Sequence, residues 1–93
     1  MRNELEGFIS SAHDVLSRYG RDYAIGAVRG LAVRNMISVN LPEPSDGFYP
    51  IVKVHEMVLM ELEEVFYNHV QSDDSEELRG ELILELVDHK VWE

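Results

Sequence analysis

Residues 51–70, IVKVHEMVLMELEEVFYNHV, constrain the chain more than any other stretch, because they run without glycine or proline and repeat apolar side chains at helical steps. Apolar positions cover most of the circumference, as in a helix packed by neighbours on several sides. The remaining segments must supply those neighbours. With 93 residues the chain has room for one core, so a single domain is expected.

Three further helices are legible. Over 3–19, Leu5, Phe8, Ile9, Ala12, Val15, Leu16 and Tyr19 form one stripe, and Asn3 with Glu6 has the spacing of a capping box. Gly20 is the expected stop and Asp22 the expected cap of a second helix over 23–36, which a connection this short would place antiparallel to the first. Gly26 and Gly30 lie four apart in that helix, each costing roughly 1 kcal/mol against alanine, and close packing of another helix is the simplest compensation. All three prolines, Pro42, Pro44 and Pro50, fall in the loop 37–50, where Ile37 and Val39 could form a short extended piece. A polar turn follows residue 70, and Asp74 with Glu77 repeats the cap spacing ahead of a last helix over 75–91. Residues 81–88 also alternate partially, as a strand would, but the cap and the leucines favour helix. The expected fold is all-α: a four-helix, antiparallel bundle-like domain of two helical hairpins joined by the proline-rich crossover.

Catalytic patterns are missing where they would be needed. His55-Glu56 begins a zincin signature, but Leu59 stands where the second imidazole should be. Ser10, Val52, Phe66 and Leu86 stand three before His13, His55, His69 and His89, so no Glu-x-x-His pair is available for a di-metal bundle. There are no cysteines, no strained serine elbow and no phosphate-binding glycine loop. No catalytic residue, metal ligand or cofactor is assigned, and a non-enzymatic protein is expected.

Charge is the more informative signal. The net charge is −10, and its placement is uneven. Up to residue 53, Glu4, Glu6, Asp14, Asp22, Glu43 and Asp46 balance Arg2, Arg18, Arg21, Arg29, Arg34 and Lys53; beyond it only Arg79 and Lys90 oppose the acids. Such a surface repels nucleic acid and anionic lipid and attracts basic partners. The arginines of the first half are best used in pairs with acids of the second. The opening MRNELEGF lacks the apolar core of a signal peptide, and no apolar run approaches the roughly 18 residues of a span, so a cytoplasmic protein is expected.

Within the acidic half, Asp74, Glu77, Glu81, Glu85 and Asp88 follow steps of three, four, four and three, one ridge along the last helix over roughly 21 Å. Glu61, Glu63 and Glu64 on the preceding helix would extend the field. A solvated face accounts for such a ridge, and so does a docking surface for a basic protein, with Tyr67, Trp92, or Phe48 and Tyr49 as aromatic anchors. The leading expectation is a small inhibitor or immunity-type protein that blocks a nuclease toxin or another nucleic-acid-processing enzyme. A phage-encoded DNA mimic is a variant of it, disfavoured because duplex charge is much denser. The alternatives are a structural or adaptor module, homodimeric through Met57 and Met60, and a ligand- or metal-binding bundle using the histidines.

Overall fold

The computed structural model describes residues 2–45, 47–48, 51–70 and 75–93, with side chains from Leu5 onward. Tyr49 and Asp74, and with Asp74 its cap and the start of the acidic ridge, lie outside the described residues. Four helices form, α1 (Arg2–Leu16), α2 (Arg21–Arg34), α3 (Val52–His69) and α4 (Glu76–Asp88), with no strand among the described residues. Residues 81–88 are therefore helix. The helical bundle expected from the apolar periodicity is what the chain builds, around one core that includes Phe8, Leu16, Leu31, Leu62, Phe66 and Ile83.

The helix ends differ from the sequence expectation by a few residues, for local reasons. α1 starts before Asn3, so Asn3 is a helical residue and not its cap. It stops at Leu16, where Arg18 and Tyr19 shorten their bonds to three-residue steps and the Ser17 hydroxyl donates to the Asp14 carbonyl. Gly20 is the residue before α2 and not a cap of α1, at φ 104°, a conformation that side chains rarely adopt. Asp22 falls inside the first turn of α2, where its carboxylate accepts the Ser45 N–H at 3.1 Å. Ser75, one residue beyond the expected Asp74, caps α4: its hydroxyl accepts the Leu78 N–H at 3.3 Å.

Two helices end in the same hydrogen-bonded motif, each with a residue other than glycine in the left-handed position. After α2, Met36 has φ 56°, and the Met36 and Ile37 amides donate to the Val33 and Ala32 carbonyls. After α4, Lys90 has φ 48°, and the Lys90 and Val91 amides donate to Val87 and Leu86. This is the Schellman arrangement, and its apolar contact is present in the buried Val91 and Leu86. The last helix therefore ends three residues before the expected position 91, and the turn behind it carries Val91 and Trp92 into the core.

Helix pairing departs from two simple hairpins. The largest interfaces are those of α3 with α2 and with α1; α4 packs on α1 and α2, and among the described residues the backbones of α3 and α4 do not come close. The bare surface of Gly26 lies against the His55 imidazole, that of Gly30 against Leu59, and Arg34 pairs with Glu63. Both numbers rise together along this series, so α2 and α3 run parallel. A parallel pair needs a connection that returns the length of the helix, which explains the long proline-rich segment. That segment is a strap laid back along α2: Arg29 donates to the Pro42 carbonyl at 3.4 Å, Ser45 bonds Asp22, and Phe48 meets Tyr23 edge-on at 4.9 Å. Ile37, Val39 and Leu41 fill the gap beneath it as half-buried apolar residues without forming a strand.

Candidate protein-docking faces

On α4 the buried side consists of Gly80, Ile83 and Leu86, which sets the opposite side toward solvent. That outer face carries Glu77, Glu81, Leu84 and Asp88 at steps of four, three and four. All four are exposed, Leu84 by 47%. Among the described residues, Glu77, Glu81 and Asp88 have no basic side chain within ion-pair distance. Glu85 turns to the flank, half-buried, with its carboxylate 3.2 Å from His89 Nε2. Among the described residues the ridge is thus three carboxylates without a basic partner around one leucine, with Glu85 at its border.

The acids of α3 do not extend this field. The backbones of α3 and α4 do not come close among the described residues, and Glu61 and Glu63 are already engaged. Glu61 accepts the Tyr19 hydroxyl and lies 3.9 Å from Arg18; Glu63 pairs with Arg34. The bond to Glu61 is the main cause that raises the Tyr19 pKa above its ordinary value of 10.0. Of the four first-half arginines whose side chains are described, Arg18 and Arg34 thus join the basic and acidic halves as the sequence suggested. Arg21 pairs instead with Asp22 at 3.4 Å, and Arg29 holds the strap. Arg18, Arg21, Arg29 and Arg34 are thus all engaged within the fold.

The aromatic candidates separate clearly. Tyr67 is 56% exposed, while Trp92 is only 8% exposed and belongs to the core, so it is no surface anchor. Phe48 is half-buried against Tyr23 and holds the strap instead of projecting from it. Glu64 and Tyr67 are both exposed on α3, away from the α4 ridge. Comparison with protein-family models, with characterised proteins and with solved structures gives no match.

The four histidines have different partners. His55 covers Gly26; His13 Nε2 lies 2.8 Å from the Glu93 carbonyl; His69 Nδ1 lies 2.9 Å from the Val65 carbonyl with its ring against Phe8; His89 meets Glu85. Among the described residues no three His, Asp or Glu side chains gather closely enough to hold a metal ion. Leu59 is buried against Gly30, so the His55-Glu56 pair stands alone. Sequence reasoning did not foresee that His13 and His89 flank one groove of about 520 Å³ between α1 and the end of α4. A second groove of about 370 Å³ runs under the strap; Asp22 and Arg29, which anchor the strap, line it together with Arg34 and His55. No described helix is long and apolar enough to cross a membrane.

Proposed function

We propose that this chain is a non-enzymatic protein-binding module that docks a basic protein on the outer face of α4. The observation that carries the reading is the row Glu77, Glu81, Leu84 and Asp88, exposed together, with carboxylates that no described basic side chain neutralises. Like charges at i and i+4 destabilise a helix by about 0.2–0.5 kcal/mol per pair, and a complementary partner would convert that repulsion into attraction. Leu84 supplies the apolar contact at the centre of the row. A partner that must bind nucleic acid presents cations in a cleft, and an acidic helix can occupy them. The specific form of the proposal is a small cytoplasmic inhibitor or immunity-type protein directed at a nuclease toxin or a host defence enzyme.

Capture from extracts of the native host tests this directly. Wild-type protein should retain a basic, nucleic-acid-processing protein and suppress its activity, with affinity that falls steeply as salt rises. Reversal of Glu77, Glu81 and Asp88 to lysine should abolish capture while the helical circular dichroism signal stays intact. Equal capture by the reversed protein would rule out the α4 face.

A further inference from the structure

α3 carries a second solvent-facing stripe, on the side turned away from α1 and α2. Lys53, Met57, Met60, Glu64 and Tyr67 follow steps of four, three, four and three, and all five are exposed. Met57 is 51% and Met60 66% exposed, alongside the exposed Tyr67. Alternating three- and four-residue steps are the seam of a coiled coil, with an average period of 3.5 residues. The helix thus buries one stripe inside the domain and presents another outside it.

We propose that this outer stripe pairs with the same stripe of a second copy of the chain, in antiparallel orientation. The charges decide the orientation. Parallel pairing in register would set Lys53 against Lys53 and Glu64 against Glu64. A two-fold axis crossing α3 between Val58 and Leu59 instead sets Lys53 opposite Glu64 of the second copy, twice, and Met57 opposite Met60, twice. Each layer then joins an a-type to a d-type position, as antiparallel seams require. Glu56 comes opposite Glu63, whose charge Arg34 already matches. Methionine suits such a surface because its flexible thioether fills an irregular interface without a fixed shape. The seam is only two heptads long, about 21 Å, and buries less than the roughly 1,600 Å² of a standard interface, so association is weak and concentration-dependent. It does not overlap the α4 face.

Sedimentation velocity between about 10 μM and 1 mM measures it, in the range that weak interfaces occupy. Wild-type protein shifts from monomer to dimer across that range. Lys53→Glu or Glu64→Lys alone weakens association by about tenfold, since each creates two like-charge contacts. The double exchange restores it. Both positions are exposed, and circular dichroism checks that the helices are kept. Oxidising a mixture of the Met57→Cys and Met60→Cys proteins should give the mixed disulfide in preference to either self-linked product. A wild type that remains monomeric at about 1 mM, or a double exchange that restores nothing, overturns the proposal. Preferential self-linking through position 60 overturns the antiparallel register.

Discussion

Gly7, Gly26, Gly30 and Gly80 all sit in helix interiors, yet the space around them differs enough to reverse the effect of one substitution. A Cβ on Gly7 would meet nothing within 4 Å, whereas on Gly30 it would come 2.8 Å from Leu59 Cδ2. Replacing glycine by alanine in a helix gains about 0.5–1 kcal/mol from backbone entropy, and overpacking a core costs about 1–3 kcal/mol. Leu59 is buried and has little freedom to withdraw. Gly7→Ala should therefore stabilise the protein by about 0.5–1 kcal/mol, while Gly30→Ala should destabilise it by about 1 kcal/mol net. Urea unfolding of the two variants measures both signs, and stabilisation by Gly30→Ala would mean that α2 and α3 are less closely packed at this crossing. Gly26 is the intermediate case, because the ring above it belongs to the half-buried His55, which has more room to turn.

At the level of the element, α3 is the longest described helix, and it begins without a cap. Its N-cap is Ile51, which offers no side-chain bond to the open amides, and its first turn contains no acid. Lys53 stands there instead, unfavourably placed toward the positive end of the helix dipole. Ile51 has an extended backbone, φ −73° and ψ 121°, suited to a capping residue, and its side chain is exposed. Ile51→Asp should raise stability by about 1 kcal/mol, read by thermal unfolding of dilute protein so that self-association does not contribute. No gain would mean that Ile51 makes apolar contacts worth as much as a cap. The identity of each helix could be read from the sequence, because apolar spacing reports which side of a helix leaves water. The choice of neighbour could not, since a stripe does not say what covers it. Gly26 and Gly30 were the available signal for the close α2–α3 contact, but only the matching of His55 and Leu59 to them shows that the helices run parallel. Trp92 was misplaced to the surface because Lys90, and not glycine, occupies the left-handed position that folds the chain end inward. The α4 ridge was legible as spacing, while the neutralisation of Glu61 and Glu63 depended on helices distant in sequence.

Across the whole molecule the fold carries a net charge of −10, and its stability balances attraction between halves against repulsion within one. Arg18–Glu61 and Arg34–Glu63 tie α3 to its neighbours, but these arginine side chains are 63% and 52% exposed, and such pairs contribute about 0.2–1 kcal/mol each. Glu77, Glu81 and Glu85 repel along α4 at similar cost per pair, and the uncompensated acids elsewhere on the surface add to it. Salt screens both terms, with a Debye length of about 10 Å at 0.1 M, and acts most strongly on the exposed, longer-range repulsions. Raising sodium chloride from about 20 mM to about 0.5 M should therefore increase the melting temperature of dilute protein by several degrees, equivalent to about 1 kcal/mol for a domain of this size. Glu81→Gln should raise the low-salt melting temperature and reduce its salt response, because it removes the central charge of the ridge. The same substitution should weaken capture of a basic partner if α4 is the docking face, the usual opposition between stability and a functional surface. A melting temperature that falls with salt would show instead that the cross-helix pairs dominate, leaving the acidic ridge as a solvated face with little energetic consequence.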